Sequence, residues 1–181
     1  MNPARGHSAL RKGRVSIPGA RYFLTCVTES RKEGLLPLFP DLVEILSGLD
    51  SEKAGTPLCM VGMPDHIHFL IRLGAMPLWE VLRTFKGRSS VLLRSRSLHW
   101  QKGVFHDHRL RESEELLPFL QYMLLNPYVA GLCPFEEKWE AWWCHPEVGS
   151  WFLPLTDEGR PLREWSGAVE GISETIGLVD G

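Results

Sequence analysis

Two imidazoles one residue apart stand near the middle of the chain, in Met63-Pro64-Asp65-His66-Ile67-His68-Phe69-Leu70-Ile71-Arg72. Pro64 and Asp65 favour a turn. After them His66, His68 and Leu70 alternate with Ile67, Phe69 and Ile71. Side chains along a strand point to opposite faces with period two, so both imidazoles emerge together. Such a pair can hold one divalent cation, with room for a third ligand from elsewhere. It can equally be two polar residues on the wet face of a half-buried strand. His106 and His108 repeat the spacing with Asp107 between them; they form a second metal pair or, the reading preferred here, the polar lining of a cleft. Tyr122 and Asn126 are four apart at the edge of an apolar helical stripe, hence neighbours on one face. A phenol there either packs or looks into a cleft.

The elements that must position these groups follow from periodicity. Residues 21–28 are rich in aromatic and β-branched types and read as a first strand. Leu42, Ile45, Leu46 and Leu49 have helical spacing, which predicts a helix over 41–49. Residues 58–63 form a short apolar strand. The tight Pro64-Asp65 turn makes it an antiparallel hairpin with the histidine strand. Pro77 opens a second helix, apolar at Leu78, Val81, Leu82 and Phe85 and basic at Arg83, Lys86, Arg88, Arg94 and Arg96. Gly87-Arg88-Ser89-Ser90 is expected to break or kink it. Residues 100–110 are a strand candidate. A third helix starts near Ser113, a possible N-cap, and is expected to end at Asn126-Pro127. From Cys133 onward five tryptophans (139, 142, 143, 151 and 165) lie among prolines with no clear period. They are expected to pack across the body rather than stack on bases.

Length and composition bound the rest. The 181 residues, 44% hydrophobic, suit one domain with a real core. The organisation read here is a basic arm over 1–19, a body over 20–135 and a Trp-rich, acidic tail over 136–181. Residues 1–134 carry 17 Lys and Arg against 12 Asp and Glu, and the remainder 3 against 10. A basic body with an acidic tail suits a polyanionic ligand and a segment that covers or regulates its site. Cys26, Cys59, Cys133 and Cys144 have no C-x-x-C spacing, which argues against a zinc knuckle or disulfide framework and for a reducing compartment. No apolar run approaches a membrane span and no signal peptide is legible, so the expected location is the cytoplasm, with no membrane partner.

The Met-Pro-Asp-His-Ile-His-Phe-Leu stretch, followed some fifty residues later by Tyr122-Met-Leu-Leu-Asn126-Pro127-Tyr-Val-Ala-Gly-Leu132, resembles the single-tyrosine HUH transposases. More narrowly it is similar to the REP-associated tyrosine transposases of bacteria. Gly13 to Phe23 and Trp100 to His108 agree with that family as well, so the likeness covers roughly residues 13 to 135. The resemblance implies an α+β fold: a ferredoxin-like antiparallel sheet with helices packed on one face, here with a C-terminal tail added. It implies metal-dependent nicking and strand transfer on single-stranded DNA beside palindromic hairpins, by a monomer or homodimer. Carried over by position, His66, His68 and Asn126 hold Mg²⁺ or Mn²⁺, and Tyr122 is the nucleophile that forms a 5′-phosphotyrosine. Arg14, Arg83, Lys86, Arg88, Lys102 and Arg109 are the candidates for DNA phosphates. Related insertion-sequence enzymes tend to carry Gln where Asn126 stands, and Asn is common where Asp65 stands.

Two other classes remain as alternatives. A histidine-triad nucleotide hydrolase wants a third alternating histidine, where this chain has Leu70. A hairpin-binding protein derived from the same fold would have lost turnover, against which the intact His66, His68, Tyr122 and Asn126 set argues.

Overall fold

A computed structural model describes residues 16–50, 53–102 and 106–170, without side-chain detail at 106 and 168–170. The polypeptide forms β1 (Arg21–Val27), α1 (Phe39–Ser47), β2 (Gly55–Gly62), β3 (His66–Leu73), α2 (Leu78–Ser95), β4 (His106–Arg109), α3 (Leu117–Val129), β5 (Trp142–Cys144) and a single-turn α4 (Pro146–Gly149). The five strands make one antiparallel sheet in the order β4-β1-β3-β2-β5. This is the α+β sheet-and-helix class expected from the sequence. β2 and β3 form the anticipated hairpin, closed by the Met63 amide donating to His66 O at 2.8 Å.

Burial explains the layering. Tyr22, Leu24 and Cys26 of β1 and Ile67, Phe69 and Ile71 of β3 face a core that includes Leu42 and Leu46 of α1 and Val81, Leu82 and Phe85 of α2. Phe23, Cys59, Val61 and Leu70, from the intervening positions, face a second core. It is roofed by Phe119, Leu120, Met123 and Leu124 of α3 and by Val148 and Phe152 of the C-terminal segment. So α1 and α2 share one face as expected, whereas α3 crosses the other. The sheet is therefore covered on both sides, and the face carrying the histidines is not a wet one.

Two helices outrun their expected ends, for energetic reasons. Gly87 costs about 1 kcal/mol in a helix interior. Leu78, Val81, Leu82, Phe85, Ser89 and Leu93 are all buried along α2, and each large apolar one contributes about 1.5–3 kcal/mol. Burial wins, and α2 runs unbroken to Ser95. Ser89, expected in a break, is inside: its hydroxyl donates to Phe85 O at 2.7 Å and accepts from Trp100 Nε1 at 2.8 Å. Likewise α3 passes through Pro127, at a cost of about 3 kcal/mol, because Phe119, Leu120, Met123, Leu124 and Leu125 are buried along it. It stops at Gly131, whose φ of 68° suits glycine. There the Leu132 amide donates to Pro127 O and the Gly131 amide to Tyr128 O, the Schellman pattern. Its start at Leu117 is also later than the expected Ser113. Of the strand candidate over 100–110, the described parts are an isolated bridge between Trp100 and Thr28 and the short β4.

The C-terminal segment, for which no period was legible, supplies a strand. β5 pairs with β2 over Cys59–Val61. Just beyond that coverage, between Pro57 and Cys59, the β2–β3 register shifts; proline has no amide to donate and is tolerated there. Trp139 Nε1 donates to Gly62 O at 3.0 Å, and Glu147 chelates the Arg72 guanidinium. Trp139, Trp142, Trp143 and Trp165 pack against the two cores as expected, whereas Trp151 is 51% exposed. Among the described residues no helix is long and apolar enough to cross a membrane.

A Cβ added at Gly87 meets nothing within 4 Å. Gly87→Ala is therefore expected to stabilise the protein by about 0.5–1 kcal/mol, measured as a higher midpoint in urea unfolding with an unchanged slope. A lower midpoint would mean that α2 needs flexibility there.

Candidate active site

The start of β3 is held from several sides. Asp65 O accepts from the Thr28 amide at 2.8 Å and the Thr28 hydroxyl at 2.9 Å, and Pro64 O accepts from the Gly34 and Leu35 amides. The turn cannot swing, so the first residues of β3 are fixed. His66 Nδ1 then meets Asp65 Oδ1 at 2.6 Å. Asp65 in turn lies 3.6 Å from Arg31 Nη1. Two residues on, His68 Nδ1 lies 2.8 Å from Thr25 Oγ1, its registered partner on β1. With each Nδ1 engaged, the two Nε2 atoms point at one another across 3.2 Å. The rings are 4.8 Å apart at 79°.

Tyr122 arrives from α3, above this face. Its ring centroid is 5.7 Å from that of His68. Phe23 fills the angle between them, stacked on His68 at 5.2 Å and edge-on to Tyr122 at 5.8 Å. His68 is 5% exposed and Tyr122 7%. The His66 side chain, at 15%, is the most open of the three, so approach comes from the Asp65–His66 end. Asn126, half-buried, follows Tyr122 by one helical turn. The spacing of the imidazoles fits a shared cation. Metal–imidazole bonds of about 2.0–2.1 Å put neighbouring nitrogen ligands about 3 Å apart. Among the described residues no cluster of three or more His, Cys, Asp or Glu side chains could hold a metal.

The remaining candidates are distributed as follows. His108 stacks on Phe119 at 5.4 Å and meets Glu114 Oε1 at 3.1 Å. The Arg111 amide and then His108 hold the Glu114 carboxyl below the usual carboxylate value. Phe119 in turn lies 6.1 Å from Phe23, so two rings stand between His108 and His68. His106 pairs with Thr25 in backbone register. Asp107 pairs with Leu24, which belongs to the α1/α2 side, so it is not brought to the histidines. Of the basic candidates, Arg14 lies outside the described residues. Arg83, Lys86 and Arg88 lie on α2, the layer opposite Tyr122. Arg83 sits 5.1 Å above the exposed Trp79 ring. Lys86 Nζ reaches Gln101 O and Lys32 Nζ reaches Ser97 O. These two bring positive charge towards the Thr28–Trp100 bridge, at the end of the sheet where β3 begins. Lys102 and Arg109 are exposed. Thr25 and Phe23 had no signal in the sequence beyond their place in a strand; only the β1–β3 register puts them on His68.

Residues 17–111 match the family model described as Transposase IS200 like, more than half of the polypeptide, and the chain belongs to that family. Its activity class is that of a DNA transposase. The match takes in both histidines and ends before Tyr122 and Asn126. Among solved structures, the chain is similar to a REP-associated tyrosine transposase bound to a REP hairpin. The identity is 18% and the TM-score 0.65, over 82% of this chain and 96% of the other. It is also similar to a candidate transposase from Deinococcus radiodurans, at 22% identity and TM-score 0.43, over 64% of this chain and 95% of that one. The likeness to the first, at 18% identity, is one of fold. No curated protein matches the chain.

Phe23 is buried and in contact with His68, Tyr122 and Phe119. Phe23→Ala is expected to lower stability by about 3–5 kcal/mol, read from denaturant unfolding. A cost under about 1 kcal/mol, the range of an exposed site, would show that the site's rings are not held by this packing.

Proposed function

We propose that the protein cleaves and rejoins single-stranded DNA beside hairpins, with Tyr122 as nucleophile and His66, His68 and Asn126 holding a divalent cation. The observation that carries this reading is the meeting of two elements: Nε2 atoms 3.2 Å apart on β3, and the Tyr122 ring packed against His68 from α3. Membership of the IS200-like transposase family supports DNA as substrate. The hairpin is inferred from the REP hairpin bound by the structurally similar transposase.

The Tyr122 oxygen forms a bond to the scissile phosphorus as the bond from phosphorus to the 3′ oxygen breaks. The products are a 5′-phosphotyrosine and a 3′-hydroxyl. The phenol proton, with an ordinary pKa of about 10, must leave during attack, and the departing 3′ oxygen takes one up. The covalent link conserves the phosphodiester energy, so a 3′-hydroxyl of another strand reverses the step and rejoins DNA. When bound, the cation would offset phosphate charge and polarise the phosphorus. Mg²⁺ and Mn²⁺ both suit that role, and two imidazoles tilt the donor set towards Mn²⁺. His66 and His68 would hold it through Nε2, while Asp65 and Thr25 meet the other ring nitrogens. Lys32, Lys86 and the exposed Arg88, Lys102 and Arg109 supply positive charge for the DNA backbone.

Tyr122→Phe is expected to bind hairpin DNA as the wild type does and to form no protein–DNA adduct on denaturing gels. An adduct of unchanged yield would remove Tyr122 from its role. His66→Ala is expected to lose cleavage at every Mn²⁺ concentration. Hairpin binding without cleavage by the wild-type protein, across many hairpin sequences, would favour a non-catalytic binder.

A further inference from the structure

Cys59 of β2 and Cys144 of β5 stand directly opposite one another in the sheet. No Cys-x-x-C spacing announces the pair; the β2–β5 register makes it. The backbone bonds beside it decide its geometry. The His145 amide donates to Leu58 O at 2.9 Å, and the Gly62 amide donates to Ala141 O at 2.8 Å. Hydrogen-bonded and non-hydrogen-bonded pairs alternate along an antiparallel ladder. Leu58–His145 and Gly62–Ala141 are of the first kind, so Cys59–Cys144 is of the second. In such a pair the Cα atoms are about 4.5 Å apart and the side chains share one face. A disulfide spans about 4.4–6.8 Å between Cα atoms, so the pair can close without moving either strand away. Both cysteines are free thiols on the side of the second core, Cys59 buried within it and Cys144 half-buried against it. Contact with Cys59 holds the Cys144 thiol below its ordinary value, whereas burial and then Cys144 raise that of Cys59. The other two cysteines are set apart. Cys26 faces the α1/α2 core, and burial pushes its thiol up to about 11; burial raises the Cys133 thiol as well.

We propose that Cys59 and Cys144 form a reversible disulfide, made by exchange with small disulfides of the oxidised-glutathione class, that fastens the C-terminal segment to the sheet. Cys144 is the entry point, since a reagent in solvent reaches it and not Cys59. Its thiolate attacks one sulfur of the small disulfide; that S–S bond breaks and one small thiolate leaves. The Cys59 sulfur then attacks the Cys144 sulfur, and the second small thiolate leaves. The two protein thiols lose two electrons and two protons, and the small disulfide takes up both to become two thiols. Excess small thiol runs the same steps backwards. Directly opposed Cβ atoms lie about 4.5–5.5 Å apart, and a disulfide draws them to about 3.5–4.5 Å; a bond under that tension is readily reduced, which suits a switch. The bond matters because β5 is otherwise held lightly. It is three residues long and pairs only with β2. Just beyond it, Val148 and Phe152 fill the second core beside Phe119 and Leu120 of α3. A covalent tie at Cys144 therefore secures the chain next to the packing that supports α3.

The test needs no DNA and no metal. Reduced full-length protein is incubated at pH 8 with oxidised glutathione, then alkylated, digested without reductant and analysed by mass spectrometry. The expected product is a Cys59–Cys144 linked peptide that disappears on treatment with dithiothreitol, with Cys26 and Cys133 alkylated. Wild-type protein in which Cys59 and Cys144 are both alkylated, or in which either is linked to another cysteine, overturns the proposal. Cys59→Ala is expected to stop at the first step and carry one glutathione on Cys144; a glutathione-free Cys144 in that variant overturns the order of attack. Oxidation is expected to raise the thermal midpoint of the wild type by about 5–10 °C, the size of effect a single disulfide has in a chain of this length, and to leave that of Cys144→Ala unchanged. Hydrogen exchange at the His145 amide is expected to slow in the oxidised wild type. Linked protein with an unchanged midpoint and unchanged exchange there overturns the fastening of the segment.

Discussion

The register of β1 against β3 is the constraint on which the site depends. It sets Thr25 opposite His68 and Phe23 opposite Leu70. A slip of one residue would turn every side chain of β1 to the other face. Thr25 and Phe23 would enter the α1/α2 core, and Leu24 would replace the hydroxyl beside His68. That register is well specified because both faces of both strands are buried: Leu24, Cys26, Ile67, Phe69 and Ile71 on one side, Phe23 and Leu70 on the other. The same apolar burial that stabilises the domain therefore orients two polar rings. At about 1.5–3 kcal/mol for each large side chain, this packing outweighs the hydrogen bonds of the histidines, about 1 kcal/mol each.

Covering both faces of the sheet has a chemical consequence. Had the histidine face been open to water, both imidazoles would sample several rotamers and exchange partners with solvent. Under α3 and the C-terminal segment, His68 is stacked on Phe23 and wedged against Tyr122. The roof that hides the histidine also delivers the phenol. That is economical: one apolar stripe on α3 packs the second core and positions Tyr122, with Asn126 one turn later. The continuation of α3 through Pro127 to Gly131 belongs to the same design, since it keeps Asn126 inside regular helix instead of at a frayed end.

The C-terminal segment is structural as far as it is described. β5 extends the sheet beyond β2, and Phe152 and Val148 fill the second core beside α3. Its negative charge is partly spent on the body, as in the Arg72–Glu147 pair. Near the start of β3, Lys32 and Lys86 hydrogen-bond the backbone carbonyls of Ser97 and Gln101.

Local signals determined a good deal of this protein. Alternation across 66–71, the turn at Pro64-Asp65, the helical stripes of α1 and α2, and the Tyr122–Asn126 spacing were all readable from neighbours in the chain. The fold class and the family came from the resemblance that the histidine and tyrosine motifs carry, with which the element order was compatible. Other features depend on distant partners. The ends of α2 and α3 overran Gly87 and Pro127 because burial against the sheet exceeded the local cost of those residues. β5 had no period to read, being three residues that gain their hydrogen bonds only from β2. Thr25 looked like any strand threonine, and Asp65 like a turn residue. What Thr25 does to His68 was decided by tertiary structure alone, because a hydrogen bond across 43 residues exists only once two strands have chosen their register.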